Sequence, residues 1–532
     1  MESTGANQAA GDARAAAGAG WRLRLVVFVA GAVLMGLEMT GSRVLAAHFG
    51  SSIYVWGSII GVFLGALATG YYFGGVLADR RPAFSLLCWL VLAAGAWLLV
   101  IPFYANWLCR AVRYLDLGER AGPLLATTLL FGGPSVLMGA VSPFAVRLAA
   151  RAVEEVGNTS GRLYALSTFG SIAGTLLTAF WLIPALGSRS LLQVLGACLI
   201  ALPLVTLPRS RAAVASAAGL AVTLPASAAL LPPSAAALRE GQRVIYEADS
   251  AYHYVLVVDD ERRGARYLQF NNYVESAVSL APPHETRVAY TDAFQLARLF
   301  KPDLMRVLLI GGGGGVGARK FVTDDPAVVV DLVEIDPLVA DVGFKYFYLE
   351  EGTRLRAHVE DGRGFVRRAT EKYDLVVLDA YTIGGQIPFH MTTREFFGEV
   401  KAALSPGGVL LANVNGSLEG RRSRVVRSEY KTLAGVFEGV YVFPLPEEAE
   451  RGAAGGRLDP ARRRNVILVA ADGAGAWGAE RAGRAAEELV RRGVVRVPTF
   501  AEDARRLLEG PLRTDDVPVL TDDYAPVDTM VF

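Results

Sequence analysis

The sequence predicts a multi-pass α-helical membrane domain followed by a soluble α/β domain that opens with a small antiparallel β subdomain. Two observations support this fold class. The mean hydropathy of the 532 residues is +0.34 with only 20% charged residues, and apolar windows of membrane-spanning length recur in the first half alone. The second half carries charge at ordinary density and alternates short apolar runs with helical stretches, a pattern typical of α/β folds.

The predicted membrane domain, residues 22–233, contains about seven apolar windows of roughly 20 residues, enough for a helix to cross about 30 Å of hydrocarbon. Residues 1–21, rich in Ala and Gly, predict a disordered tail rather than a signal peptide. The windows lie near 25–47, 54–77, 84–104, 123–145, 163–186, 190–207 and 212–232. The small residues expected to let neighbouring helices approach closely are Gly61, Gly65, Gly70, Gly170 and Gly174.

Arginines alternate with the windows in a way that places the N-terminus in the cytoplasm by the positive-inside rule. Seven crossings would then put the soluble domain outside. We therefore expect either that the window at 212–232, interrupted by Pro225, does not cross, or that another segment around 107–117 does. Both alternatives give a multi-pass protein of the cell membrane with a cytoplasmic soluble domain. Glu38, inside the first window, is a functional candidate at membrane depth, with local pairing near the headgroups as the alternative.

The net charge of +1, with no basic block interleaved with aromatic residues, excludes a nucleic-acid surface. The three cysteines lie in or beside apolar windows and form no Cys-x-x-Cys pair, and the histidines show no metal-like spacing. No metal site is therefore predicted.

The soluble half begins with residues 244–300, where 244–258 and 266–280 alternate polar and apolar residues around a charged turn and predict a small antiparallel sheet. Between 301 and 445, short Val- and Leu-rich runs alternate with helical stretches, which predicts a Rossmann-like parallel sheet buried on both faces. Residues 446–532 form a C-terminal extension to which no chemistry is assigned. The Val- and Leu-rich runs are 307–310, 328–335, 373–380 and 407–414.

A glycine-rich turn after the first of these runs predicts a nucleoside site. Gly311, Gly312, Gly313 and Gly315 belong to five consecutive glycines that open a helix, where the backbone can turn sharply and approach a ligand. Glu334 ends the next strand about twenty residues on, where a carboxylate can accept hydrogen bonds from ribose hydroxyls. The motif alone does not separate a nicotinamide enzyme from a sulfonium enzyme.

Later motifs do separate them. Asp361-Gly362 closes a third strand-like run, and Asp379 stands at the carboxyl end of the fourth strand, facing the crevice where such sheets bind ligands. This order resembles the methyltransferase-like fold. With Glu395-Phe396-Phe397 and the C-terminal run at 520–528, it resembles more closely the spermidine synthase, or polyamine aminopropyltransferase, family, and especially its branch fused to membrane helices.

The resemblance implies a transferase that moves an aminopropyl group from decarboxylated S-adenosylmethionine to an amine and releases methylthioadenosine. It implies Asp379 as the catalytic residue that holds the ammonium and takes its proton, Glu334 as the ribose ligand and Asp361 as the adenine ligand. Gly362 and the glycine turn complete the cofactor-binding set. The residues implied at the amine substrate are Tyr290, His253, Tyr381 and Thr382.

Three departures from the family's pattern affect the amine half of the site: two lost carboxylates, and His253 where the family has a Gln, with no amide or imidazole beside Tyr290. Gly314 stands where the family's glycine turn carries an acidic residue that contacts the aminopropyl amine, and Thr382 stands where a second Asp follows the catalytic one. The loss of two carboxylates weakens the attraction for a dication by several kcal/mol in a low-dielectric pocket. The acceptor is therefore open, whereas binding of a sulfonium nucleoside or its thioether product is expected.

Other functions stay open beside this one. A methyltransferase would use intact S-adenosylmethionine on the same fold, and a transporter or sensor would couple a nucleoside-binding domain to the helices. A nicotinamide dehydrogenase fits least, because Asp361-Gly362 and the turn at 406–408 follow the methyltransferase-like order. As partners we expect a small-molecule amine, the lipid bilayer and, as an open alternative, a second copy in a homodimer, but no nucleic acid.

Overall fold

The computed structural model divides the chain into two compact units, residues 1–236 and 237–532. Each unit is a separate structural body with its own core: the first is helical, and the second holds the sheets. The structure describes residues 2–50, 52–115, 117–150, 156–207, 209–230, 240–270, 273–381, 387–447, 450 and 458–530.

The first unit is built from helices α1 to α9. Helix α1 begins at Glu2, and the disordered tail predicted over residues 1–21 stays a prediction. The bounds are α1 Glu2–Phe49, α2 Ile53–Arg80, α3 Phe84–Tyr114, α4 Gly118–Thr127, α5 Gly133–Gly139, α6 Val141–Ala149, α7 Val156–Leu177, α8 Ile183–Thr206 and α9 Arg211–Leu230, with π-helical turns at Thr128–Gly132 and Thr178–Leu182.

Five described segments are long and apolar enough to cross a membrane. The longest, Val156–Thr206, would measure about 76 Å as one helix, more than twice the thickness of the hydrocarbon core. It is broken at Gly187, whose backbone angles (φ 72°, ψ 161°) are not helical. Six of the seven predicted windows therefore lie in these five segments, because Val156–Thr206 contains two of them. The seventh window overlaps α9, which is not among the five segments. The other four are Gly20–Phe49, Ile53–Arg80, Phe84–Tyr114 and Arg120–Ala149.

Glycines of α7 bring its backbone into contact with α1. A Cβ atom added at Gly174 would lie 2.1 Å from the carbonyl oxygen of Ala32, and one added at Gly170 would lie 2.2 Å from that of Phe28. Such distances leave no room for a side chain, so the two helices pack backbone to backbone, as small residues permit in membrane bundles. The close packing predicted for these two glycines is confirmed.

The glycines of α2 behave differently along its length. A Cβ atom at Gly70 would lie 2.3 Å from the carbonyl oxygen of Val136, which confirms the predicted close contact. For Gly61 and Gly65 the prediction is wrong: within the described ranges, no heavy atom lies within 4 Å of an added Cβ. The reason is that this face of α2, with Leu64 62% exposed, points away from the other helices of its unit.

Replacing Gly174 by valine is expected to lower the free energy of unfolding of the helical unit by about 1–3 kcal/mol, the usual effect of overpacking. The reason is that the added side chain would displace the backbone of α1. The measurement is the melting temperature of the detergent-solubilised full chain. Gly161→Val on the same helix is the matched control, since the described part of the chain places no heavy atom within 4 Å of its Cβ position. Equal melting temperatures for the two variants would contradict the α1–α7 crossing.

The second unit opens with a four-stranded antiparallel sheet in the order β1-β2-β3-β4. The sequence predicts only two strands here. The structure divides 244–258 into two strands because the hydroxyl of Ser250 accepts hydrogen bonds from the backbone N–H groups of Tyr252 (3.0 Å) and His253 (2.8 Å) and turns the chain. The bounds are β1 Gln242–Asp249, β2 Tyr254–Asp260, β3 Ala265–Phe270 and β4 Tyr273–Ser279.

A seven-stranded sheet follows, in the order β10-β11-β9-β8-β5-β6-β7. Strands β5 to β9 run parallel, and both faces are buried, which confirms the predicted Rossmann-like architecture. The chain passes from β5 to β7 on one side and returns at β8 on the other, so the topological switch point lies between β5 and β8. The bounds are β5 Arg306–Gly311, β6 Val329–Glu334, β7 Leu355–Val359, β8 Tyr373–Asp379, β9 Leu404–Gly416, β10 Gly439–Pro444 and β11 Arg464–Ala471.

Helices cover both faces of this sheet and connect its strands. The C-terminal helices pack with the same core as the earlier ones. The helices of this unit are α10 Ala289–Ala293, α11 Val316–Asp324, α12 Pro337–Tyr346, α13 Gly362–Arg368, α14 Arg394–Ala403, α15 Arg424–Ala434, α16 Ala479–Arg491 and α17 Phe500–Ala504.

The predicted C-terminal extension is part of the α/β fold. Strand β11 pairs antiparallel with both β9 and β10, so the boundary predicted at residue 445 divides one sheet. Near the C-terminus, Asp522 accepts hydrogen bonds from two nitrogens of Arg363 (2.7 and 2.8 Å) and one from the hydroxyl of Thr393 (2.7 Å). These bonds attach the 520–528 run to the start of α13 and α14.

Candidate functional site

The switch point holds the predicted glycine turn. Residues 311–315 all have positive φ, between 39° and 108°, a conformation that strongly favours glycine. Gly311 pairs with Asp379 on β8, and a Cβ atom added at Gly311 would lie 2.5 Å from the Asp379 carbonyl oxygen. The turn therefore needs glycine for backbone reasons and leads directly into α11, with Gly315 as its N-cap.

Asp379 is the last residue of β8 and is only 5% exposed. Its Oδ1 accepts a hydrogen bond from Nδ2 of Asn413 (2.9 Å) at the end of β9. Burial raises the pKa of Asp379 to about 7; the Asn413 hydrogen bond lowers the pKa and the charge of Glu334 raises it. Asp379 is therefore a carboxylate close to its protonation midpoint at neutral pH.

Glu334 ends β6 on the other side of the glycine turn. Its Oε1 accepts a hydrogen bond from the backbone N–H of Asp336 (3.0 Å), which orients the side chain. Burial raises the pKa of Glu334 to about 7, against the lowering effect of that hydrogen bond. Asp336 in turn caps α12 and accepts a hydrogen bond from the hydroxyl of Ser250, so the β1–β2 turn supports the loop after β6.

The structure adds a third carboxylate, Glu275 on β4, which the sequence does not predict. Its Cβ lies 3.2 Å from where a Cβ on Gly313 would stand, so it is placed against the glycine turn. In the described part of the chain its carboxylate has no hydrogen-bond or ion-pair partner. Burial raises the pKa of Glu275 to about 8, and the charges of Asp379 and Glu334 add to this effect. In the sequence, Glu275 could have been recognised as the one charged residue of β4, a strand in which the residues that follow it are buried.

Two predicted tyrosines hold the backbone around these groups. The Tyr290 hydroxyl donates to the carbonyl oxygen of Glu275, and the Tyr381 hydroxyl donates to that of Asn413 (2.5 Å). Burial raises the pKa of both phenols, so they remain neutral donors at pH 7. The Oδ1 of Asn413 is buried and has no hydrogen-bond partner among the residues described. The site therefore presents unused acceptors, which suit a ligand rich in N–H donors.

The other predicted cofactor residues lie at the ends of neighbouring elements. Asp361 caps α13 by accepting a hydrogen bond from the backbone N–H of Gly364 (2.7 Å), and its other oxygen lies 3.4 Å from Nε2 of His390. A Cβ atom at Gly362 would lie 2.3 Å from the side chain of Ile310, so glycine is required for α13 to approach β5. A carboxylate oxygen can accept more than one hydrogen bond, so the oxygen of Asp361 that lies near His390 can also accept one from a ligand.

The remaining predicted substrate residues are His253 and Thr382. The ring of His253 stacks on Phe270, with 4.4 Å between ring centroids. Thr382 lies outside the described residues. Within the described ranges, no group of three or more His, Cys, Asp or Glu side chains is arranged to hold a metal ion.

A cavity opens from the carboxylate cluster. Glu275, Tyr290, Tyr381 and Asn413 line it, together with residues farther along β9 and at the start of β11. Its lining combines these polar groups with apolar side chains, among them Val274, Val288 and Leu445. The arrangement can hold a nucleoside at the glycine turn and a second, amine-bearing molecule in the cavity beside Asp379.

Comparison with known proteins gives these findings. A family model described as "Spermine/spermidine synthase domain" matches residues 290–453. A polyamine aminopropyltransferase of Vibrio vulnificus is 34% identical over 214 residues, which are 39% of this chain and 69% of the relative. A probable polyamine aminopropyl transferase of Bifidobacterium longum is 30% identical over 193 residues, 36% of this chain and 42% of the relative. The crystal structure of a probable spermidine synthase from Corynebacterium glutamicum aligns with a TM-score of 0.40 and 22% identity, covering 52% of this chain and 99% of that chain.

Proposed function

The chain belongs to the polyamine aminopropyltransferase, or spermidine synthase, family, and on this premise we propose that it transfers an aminopropyl group from decarboxylated S-adenosylmethionine to an amine. The observation that supports the proposal best is the meeting of the glycine turn, Glu334 and Asp379 at one switch point, with Glu275 beside them and no partner for its carboxylate among the described residues. This set, together with Asp361, can hold a nucleoside and two amino groups.

The chemistry is a displacement at carbon. The lone pair of the acceptor amine forms an N–C bond with the aminopropyl carbon next to the sulfonium, while the C–S bond breaks and its electron pair stays on sulfur. Asp379 accepts the proton that the amine loses, and a pKa of about 7 suits this role near neutral pH. Asn413 holds one oxygen of Asp379, while the other lies 3.9 Å from the Cβ position of Gly312, toward the nucleoside.

The nucleoside half is proposed to bind as the sequence predicts. Glu334, oriented by the backbone of Asp336, accepts hydrogen bonds from the ribose hydroxyls. The oxygen of Asp361 that does not cap α13 accepts from the adenine amino group. Because glycines let the backbone come close to the ligand, the turn fixes the sulfonium next to Asp379, and this positioning supplies much of the rate.

Glu275 is proposed to bind the primary ammonium of the aminopropyl group. It stands against Gly313, one residue from Gly314, where the turn itself carries no carboxylate. Its burial together with Asp379 and Glu334 makes the site strongly favourable for a cation, because binding relieves the repulsion among three acidic groups. It thereby supplies the negative charge that Gly314 cannot.

Release of methylthioadenosine tests the proposal. The purified full chain is supplied with decarboxylated S-adenosylmethionine and a panel of amines with and without a carboxylate, and product is expected with at least one of them. Calorimetric titration with intact and with decarboxylated S-adenosylmethionine tests the methyltransferase alternative. The carboxylate of the intact compound would face Glu275, so we expect it to bind more weakly than the decarboxylated compound. Glu275→Gln should reduce this difference in affinity. No product from any amine, or transfer of a methyl group instead, would contradict the proposal.

We also propose that the protein is a multi-pass protein of the cell membrane with a cytoplasmic catalytic unit. Six crossings, with Val156–Thr206 divided at Gly187, return the chain to the side of its N-terminus, where the arginine distribution places it. A fluorescent protein fused after Phe532 is expected to fluoresce in a bacterial host, and alkaline phosphatase fused there is expected to be inactive. An active phosphatase fusion would contradict the six-crossing topology.

A further inference from the structure

A buried arginine beside the proposed adenine ligand uses every N–H group of its side chain. Arg363 stands two residues after Asp361, at the start of α13, and is 6% exposed. A guanidinium has five N–H donors, and all five are engaged. Two donate to the carboxylate of Glu399 (2.8 Å each), two to that of Asp522 (2.7 and 2.8 Å), and one to the carbonyl oxygen of His390 (2.9 Å). Two bidentate ion pairs therefore fix the guanidinium in one orientation.

One of these carboxylates comes from the C-terminal part of the chain, to which the sequence assigns no chemistry. Asp522 lies 159 residues after Arg363 and also accepts a hydrogen bond from the hydroxyl of Thr393 (2.7 Å). The Arg363 hydrogen bonds, and then that of Thr393, lower the pKa of Asp522 to about 2 against the raising effect of burial. The 520–528 run therefore supplies a lasting negative charge to the start of α13.

The same guanidinium holds a short 3₁₀ turn against the proposed adenine ligand. Nη1 of Arg363 donates to the carbonyl oxygen of His390, and Nε2 of the His390 ring lies 3.4 Å from Oδ2 of Asp361. The Sδ of Met391 lies 3.5 Å from the Cβ position of Gly362. The place of this turn beside Asp361 is therefore set by the arginine and, through it, by the C-terminal carboxylate.

We propose that Arg363 and Asp522 are positioning residues for the adenine base, so that the C-terminal run sets the selectivity of the site for adenine. The inference rests on the proposed function and names what determines its nucleoside specificity. The amino group of adenine donates a hydrogen bond to Asp361, whereas hypoxanthine places a carbonyl oxygen there, a second acceptor facing a carboxylate. Discrimination between the two bases therefore requires Oδ2 of Asp361 to stay where His390 holds it.

Asp522→Asn in the full chain tests the inference, because the C-terminal run keeps its backbone attachment. The backbone N–H of Arg394 donates to the carbonyl oxygen of Leu520 (2.9 Å), and the backbone N–H of Asp522 donates to Glu395 (3.0 Å). Asparagine keeps the shape of the side chain and loses the charge that orients the guanidinium. We expect the variant to fold and to bind nucleosides, with the turn at His390 less firmly held.

Calorimetry of the detergent-solubilised full chain with methylthioadenosine and methylthioinosine measures the selectivity. Wild type should prefer methylthioadenosine. We expect Asp522→Asn to weaken methylthioadenosine binding by about fivefold, the lower end of the coupling between linked sites, and to change methylthioinosine binding by less than about twofold. KM for decarboxylated S-adenosylmethionine should rise by a similar factor at unchanged kcat, because only binding is affected. Asp523→Asn, the same change at the exposed next residue, is the matched control and should alter none of these quantities.

The contrary outcomes are distinct. Unchanged affinity for methylthioadenosine in Asp522→Asn, or equal weakening of both nucleosides, would overturn the positioning role while leaving aminopropyl transfer standing. Wild type that bound the two nucleosides equally would overturn the adenine assignment of Asp361, and this inference with it. Wild type that bound neither would overturn the proposed function itself.

Discussion

Replacing Asp379 by asparagine is expected to lower kcat for aminopropyl transfer by a factor of about 10² to 10⁴, the usual contribution of a positioned general base. Asparagine keeps the shape of the side chain but cannot take the proton that the amine loses. Since Asp379 does not hold the nucleoside in the proposed mechanism, the affinity for methylthioadenosine should change by less than about twofold. Rates of methylthioadenosine release and calorimetry measure the two quantities.

The pH profile separates this role from a structural one. Below a pKa of about 7 the Asp379 carboxyl is protonated and cannot accept the amine proton, so kcat, measured with Glu275 and Glu334 occupied by saturating substrate, should rise with pH through about 7. The asparagine variant should lose this rise. Asp341→Asn, at a carboxylate 69% exposed and paired with Lys345, is the control and should keep the wild-type rate and profile. An Asp379→Asn variant that retained both would refute the base assignment.

Replacing Glu334 by glutamine is expected to weaken methylthioadenosine binding by about 10- to 100-fold, because hydrogen bonds to a charged acceptor contribute about 1.5–3 kcal/mol. The amide can accept from one ribose hydroxyl but not from both, and its NH₂ group faces the backbone N–H of Asp336 or the sugar. Isothermal titration of the full chain with methylthioadenosine gives the dissociation constants directly.

Two comparisons define that experiment. Glu371→Gln, at an exposed glutamate paired with Arg306 outside the crevice, should leave the affinity unchanged. 5′-Deoxy-5′-methylthioadenosine lacking its 2′- and 3′-hydroxyls should bind wild type and Glu334→Gln alike, because it offers the carboxylate nothing to bind. If the variant bound the full nucleoside as tightly as wild type, Glu334 would not be the ribose ligand and the crevice would lose its assignment.

Local patterns in the sequence account for the parallel sheet and the nucleoside half of the site. Runs such as 307–310 and 373–380 are apolar throughout because both faces of their strands are covered, and they coincide with β5 and β8. The consecutive glycines and the position of Asp379 at a strand end follow from the same stretches. Each of these signals lies within one short segment, so it is legible without knowledge of distant neighbours.

The proposed amine half of the site could not be predicted in this way. Glu275 belongs to the antiparallel sheet and Asn413 to β9, near its end. Neither carries a motif, and each acquires its proposed role only from contact with a segment more than 30 residues away. The burial that raises the pKa of Glu275 likewise depends on the packing of β4 against the glycine turn.

By itself, the sequence determined a block of long apolar helices, a Rossmann-like domain and the glycine turn with Asp379 at a strand end, because hydrophobic periodicity and glycine conformation act over a few neighbouring residues. Only the tertiary structure decided which α2 glycines meet another helix, where Val156–Thr206 breaks, and which carboxylates meet at the switch point. The physical reason is that electrostatic energy in a buried site depends on distance in space, and that distance is set by how separate strands are ordered in the sheet.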